Sequence, residues 1–153
     1  MVKSTPTEQS MYRSCFPACS YFFLITKFLS QRYIAGYPQN TIYNNLAASG
    51  ISWKNYFQEI PSLVVFDQLR TSLGNYKQWG TFLSDAKAGT LPSVSFLDPS
   101  YFSILNCVQE NDNHPPSDVA EGEALLKQVY EAVRASPQWN ETLLIVTYDE
   151  HGG

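Results

Sequence analysis

Residues 149–153 read Asp149-Glu150-His151-Gly152-Gly153 and follow directly on an apolar, β-branched run, Thr142-Leu143-Leu144-Ile145-Val146-Thr147-Tyr148. Neighbouring carboxylates on one strand point to opposite faces, but a turning backbone at a strand end can aim both at one point. A hard divalent cation would draw them together, because oxygen ligands and negative charge are what it needs. Without a cation their repulsion raises one pKa and favours a shared proton. The two glycines allow a sharp turn and close approach of a ligand. The plain alternative is an acidic loop, solvated and inert, after a core strand.

A second candidate group lies in Asn111-Asp112-Asn113-His114-Pro115-Pro116-Ser117-Asp118. The prolines hold His114 on a non-helical backbone, from which an imidazole can donate to a phosphate oxygen or protonate a leaving alcohol. Its bland counterpart is a histidine in a surface loop. Asp118 stands three residues before Glu121, the spacing of a capping box, so it is read first as the N-cap of a helix. A phosphate could still lie near that helix start, which attracts anions through its amides.

These segments together resemble the plant non-specific phospholipase C family, part of a wider phosphoesterase group that includes bacterial phospholipases C and acid phosphatases. The similarity runs through Gly36-Tyr37-Pro38-Gln39-Asn40-Thr41-Ile42, Gly50-Ile51-Ser52-Trp53, Tyr56-Phe57-Gln58-Glu59-Ile60-Pro61, the His114 segment, and Ser136-Pro137-Gln138-Trp139-Asn140-Glu141-Thr142 leading into Asp149-Glu150-His151-Gly152-Gly153. It covers residues 33–153, with the motifs in the family's order. The resemblance implies hydrolysis of the phosphodiester of phospholipids, with phospholipid as substrate, peripheral contact with a membrane and a divalent metal ion of unspecified identity. It assigns Asp149 and Glu150 as ligands of a metal or of the phosphate site, and His114 and Asp118 as catalytic candidates that contact the phosphate or leaving group; His151, beside the two acids, is a further catalytic candidate that would orient them.

Three family segments have no match in this sequence: Glu-Asn-x-Ser-Phe-Asp-His, the nucleophile-bearing Thr-x-Pro-Asn-Arg, and Phe/Tyr-x-Asp-His-Val. Residues 1–32 do not resemble the family and are read as a divergent segment. The expectation is therefore a partial phosphoesterase domain over 33–153 with impaired chemistry, since phosphoryl transfer depends on a positioned nucleophile and on neutralised phosphate oxygens. The rival is an inactive domain that only binds lipid or protein. A nucleoside triphosphatase is excluded by the lack of a Gly-x-x-x-x-Gly-Lys-Ser/Thr cradle.

The elements that must position these residues alternate between helix and strand. Asn40 or Thr41 caps a short helix with Ile42, Tyr43 and Leu46 inward and Gly50 in a left-handed C-terminal position. Residues 51–57 read as an aromatic-rich strand, 63–73 as a helix with Leu63, Phe66, Leu69 and Leu73 on one face, and 91–99 as a strand ending on Asp98. Val119, Gly122, Leu126, Val129 and Val133 line one face of a helix that Ser136-Pro137 ends. Residues 142–148 read as a strand buried on both sides in a parallel sheet, emptying into the site at its carboxyl end. The fold class is α/β: a three-layer sandwich with a mainly parallel sheet, alkaline-phosphatase-like and incomplete.

Composition sets the outer bounds. With 44% hydrophobic and 16% charged residues the chain is globular rather than disordered, and a net charge of −4 gives no footprint for nucleic acid. Cys15, Cys19 and Cys107 have no zinc-ligand spacing and read as reduced thiols. The apolar stretch around Phe22 is far short of the roughly 20 residues that span a bilayer. A signal peptide lacks a clean cleavage site, so a cytoplasmic or peripheral-membrane location is favoured over secretion. Asn140-Glu141-Thr142 fits the glycosylation acceptor pattern but adjoins the expected strand.

Overall fold

The computed structural model describes residues 35–102 and 109–151. The segment 1–32, all three cysteines, Gly152 and Gly153 lie outside those residues. Three parallel strands form the centre: β1 (Trp53–Phe57), β2 (Tyr76–Gln78) and β3 (Val94–Asp98), in the order β2-β1-β3. Trp53 stands opposite Val94 and Phe57 opposite Asp98, so β1 and β3 end together.

Alternation along β1 sends successive side chains to two different cores. Trp53 joins Tyr43, Leu63 and Leu69 on one face, beneath helix α1 (Ile42–Ala48) and the 3₁₀ turns Ser62–Val65 and Asp67–Leu69. Tyr56 joins Trp79, Phe82, Val129 and Val133 on the other, beneath α2 (Trp79–Ala88) and α3 (Val119–Arg134). Both faces of the sheet are covered, which gives the expected three layers. Aromatic packing stiffens each core, with Tyr43 and Trp53 rings 5.0 Å apart and Tyr56 edge-on to Phe82 at 5.5 Å. Trp79 Nε1 donates to Gln128 Oε1 at 2.9 Å and locks α2 to α3.

Several expectations are met. Thr41 is the N-cap of α1, its amide and hydroxyl both donating to Asn44 Oδ1, and Gly50 takes φ +70°. Ile42 departs from its expected inward position and is exposed, so that Tyr43 alone of this helix is buried. The strands read at 51–57 and 91–99 appear as β1 and β3.

Two expectations are overturned. Residues 63–73 do not form an α-helix, because Phe66 pairs with Tyr37: the Tyr37 amide donates to Val65 O and the Asp67 amide to Tyr37 O, pulling the backbone out of the helical ladder. Leu73 is exposed. Residues 142–148 do not form a buried strand either. They pair with no strand among the described residues, and Leu143 and Ile145 are 82% and 72% exposed. Two-sided burial needs a strand on each side and cover on each face, and this run has no strand beside it among the described residues. Leu144 packs against the Tyr56 core, and Val146 shares a shallow apolar depression with Leu126 and Tyr130.

Candidate functional site

The carboxyl ends of β1 and β3 are sealed by polar side chains rather than apolar ones. Asp98, 1% exposed, accepts four hydrogen bonds: from Asn55 Nδ2 (2.8 Å), the Ser62 amide (2.8 Å), Ser62 Oγ (2.7 Å) and the Tyr101 hydroxyl (2.9 Å). The donors come from β1, the loop after it and the loop after β3, so one carboxylate gathers all three. Burial, reinforced by the Asp98 charge, pushes the Tyr101 phenol up from its ordinary value. Glu59, also buried, accepts from the Phe102 amide at 2.9 Å. Asp98, which ends β3, is thus a clamp on the loops at this end of the sheet.

Asn111 ties the His114 loop to the same end of the sheet. Its Oδ1 accepts from the Ser100 amide at 2.7 Å, its own amide donates to Ser100 O at 3.0 Å, and its Nδ2 donates to Gln58 Oε1 at 3.1 Å. The loop beyond it is braced from within. Asp112 Oδ1 accepts from the His114 amide and from Ser117 Oγ, and the Ser117 amide donates to His114 O. A cis peptide joins Pro115 to Pro116. His114 Nδ1 lies 2.7 Å from Pro115 O. A carbonyl can only accept, so Nδ1 carries the proton and Nε2 of this exposed ring is the atom turned to other chemistry.

Asp118 is the N-cap of α3, its Oδ1 accepting from the Ala120 amide at 2.9 Å. Asp149, Glu150 and His151 are exposed at the far end of the 142–148 run. Asn113 connects the two groups: its Nδ2 donates to the Tyr148 hydroxyl at 3.2 Å, one residue before Asp149 and one residue before His114 along their respective segments. Thus the histidine loop and the acidic segment meet, while Asp118 faces its own helix. Among the described residues no three His, Cys, Asp or Glu side chains gather into a cluster that could hold a metal ion. The adjacent carboxylates of Asp149 and Glu150 supply oxygen donors only, which suits a hard cation that completes its shell with water and phosphate oxygens.

A family model described as Phosphoesterase matches residues 26–153. The chain belongs to the phosphoesterase family. Non-specific phospholipase C6 of Arabidopsis thaliana is 46% identical over 131 residues, 84% of this chain and 25% of that protein. Non-specific phospholipase C4 of the same plant is 45% identical over 78% of this chain and 23% of its own length. Phospholipase C A of Mycobacterium tuberculosis is 33% identical over 71% of this chain and 23% of its own. The chain thus spans about a quarter of the length of these relatives. Its three parallel strands with helices on both faces are consistent with part of the α/β fold of a phosphoesterase.

Sequence reading did not find the Asp98 clamp or the bond between Asn113 and Tyr148. It also passed over Asp85 on α2, whose Oδ2 accepts from Lys54 Nζ at 2.6 Å and from the Tyr56 hydroxyl at 2.7 Å. Burial pushes the Asp85 carboxyl up, but the hydrogen bonds from Lys54 and Tyr56 and the Lys54 charge outweigh it and hold it below its usual value. This group lies on the α2 face of the sheet and has a structural part.

Proposed function

We propose that this chain carries the phosphate-handling segment of a phospholipase C-type phosphoesterase, acting on the glycerol-side phosphodiester of phospholipids to give diacylglycerol and a phosphorylated head group. The observation that carries the reading is the hydrogen bond from Asn113 to Tyr148, which brings the His114 loop beside the segment bearing Asp149 and Glu150. The location agrees with it, because parallel sheets gather ligands at the carboxyl ends of their strands, where Asn111 anchors this loop.

In this reading Asp149 and Glu150 hold a divalent cation, which would neutralise charge on the phosphate oxygens. His114 acts as the acid. In its doubly protonated form the ring donates from Nε2 to the leaving alkoxide oxygen and returns to the neutral state with Nδ1–H still on Pro115 O. His151 orients the two carboxylates, and Asp118 caps α3 and so fixes where the His114 loop enters that helix. The nucleophile is not among the residues assigned. A phospholipid substrate implies peripheral contact with a membrane surface; no helix among the described residues is long and apolar enough to cross a bilayer.

The test is release of phosphocholine from phosphatidylcholine vesicles by the purified chain, with and without a chelator. Slow release above the buffer rate, with water as the attacking oxygen, that disappears in His114→Ala, Asp149→Asn and on chelation is the expected result. Release at the buffer rate would overturn the proposal in favour of a lipid- or protein-binding module.

A further inference from the structure

The bond between Asn113 and Tyr148 has an unusual foundation. Asn113 has φ 64°, a left-handed backbone that asparagine tolerates better than other side-chain-bearing residues. This conformation turns its carboxamide away from the loop and onto α3 at Gly122. A Cβ built at Gly122 would lie 1.8 Å from Asn113 Oδ1 and 2.5 Å from its Cγ, well inside contact distance. Any larger residue at 122 would evict the amide. Asn113 Oδ1 is buried and has no hydrogen-bond partner among the described residues, a cost that Nδ2 offsets only in part through the Tyr148 hydroxyl. A loop residue that accepts a left-handed backbone and an orphaned oxygen is held there by something other than its own stability.

We propose that Asn113, seated on Gly122 and hydrogen-bonded to Tyr148, is a positioning residue that sets the separation between the His114 ring and the Asp149–Glu150 pair. The role follows from the local geometry. Asn113 directly precedes His114, and Tyr148 directly precedes Asp149, so the hydrogen bond joins the two segments one residue from the imidazole and one residue from the first carboxylate. On the Tyr148 side the segment is exposed and has no strand pairing among the described residues, and Leu144 and Val146 seat it on the body. Cutting the bond removes the tie between Tyr148 and the His114 loop, which stays fastened through Asn111, so the distance between the two groups should grow. The inference rests on the proposed function, since the separation matters only if the two groups share a ligand.

Paramagnetic broadening by Mn²⁺ reads that separation directly, because it falls with the inverse sixth power of distance. Manganese added to the full chain should broaden the ring proton signals of His151 and His114 together. Asn113→Gly keeps the left-handed backbone and removes only the amide, and Tyr148→Phe removes only the hydroxyl of an exposed side chain. In both, broadening of His151 should persist while that of His114 falls severalfold. Gly122→Ala should reproduce the pattern through a different residue, with circular dichroism reporting that each variant is folded. Equal broadening of His114 in wild type, Asn113→Gly and Tyr148→Phe would overturn the positioning role alone. No broadening of His151 in the wild-type chain would overturn the cation site, and the role of Asn113 with it.

Discussion

A carboxylate sealed from water needs donors for its lone pairs, and Asp98 has four of them from three residues. Removing it strands the Asn55 amide, the Ser62 amide and the Tyr101 hydroxyl in the interior, each at a cost of about 1–3 kcal/mol. Asp98→Ala should therefore destabilise the chain by about 4 kcal/mol in urea titration. A loss under about 1 kcal/mol would mean that the donors find water instead. Asp118 offers a contrast at the surface. Its single bond to the Ala120 amide makes Asp118→Ala worth about 1 kcal/mol, with Asp118→Asn nearly neutral because asparagine caps equally well. The Asp118 cap was legible in the sequence, since the donor lies two residues away. The Asp98 clamp was not: Ser62 is 36 and Asn55 43 positions distant, and no local pattern records such pairings.

At the scale of elements, the segment 142–148 separates two arrangements with opposite consequences for mutation. In a two-sided strand every apolar residue would be costly to replace. Here Leu144 faces the core while Leu143 and Ile145 face solvent. Leu143→Lys and Ile145→Lys should each change stability by less than about 0.5 kcal/mol, whereas Leu144→Ala should cost about 1–2 kcal/mol of lost burial. Large losses at 143 and 145 would restore the buried strand. The misreading has a physical root: an apolar run reports that a segment can be buried, while the neighbours that bury it are decided elsewhere. The same holds for residues 63–73, where three-and-four spacing was real but Tyr37 competed for the backbone. β2 and α2 left no usable signal, being a three-residue strand with one large apolar side chain and a helix whose N-cap, Gln78, makes no side-chain cap bond. By contrast β1, β3 and α3 were readable because aromatic composition, bracketing prolines and an aspartate cap agree with their final packing. Even the Ser136-Pro137-Gln138 turn has a structural task, as the Gln138 amide exchanges two hydrogen bonds with the Leu91 backbone ahead of β3.

Across the whole molecule, buried phenols couple stability to alkaline pH. Tyr43 and Tyr76, on the Trp53 face, are pushed up to about 12 from 10.0, chiefly by burial and then by the Asp98 charge. Tyr101 beside Asp98 and Tyr56 on the opposite face are pushed higher still, by burial first and then by their hydrogen bonds to, and the charge of, Asp98 and Asp85 respectively. A folded-state pKa above the unfolded one means that folding favours the protonated phenol. The contribution is complete below pH 10 and is lost as pH rises from 10 toward 12 and beyond, because only the unfolded chain can ionise freely. With such groups in both cores, loss of structure and tyrosinate formation should coincide as one cooperative event in that interval. Ultraviolet absorbance of tyrosinate and far-ultraviolet circular dichroism, followed on the same samples, check this. Phenols that ionise gradually near pH 10 while the helical signal persists would show that the interior admits hydroxide and water. Asp85 works in the other direction. Its depressed pKa gives stability that is present above its ordinary value of 3.8 and lost as pH falls below it. Lys54→Met removes the donor and charge that hold Asp85 down, and should move the onset of acid unfolding to higher pH while leaving the alkaline limit in place.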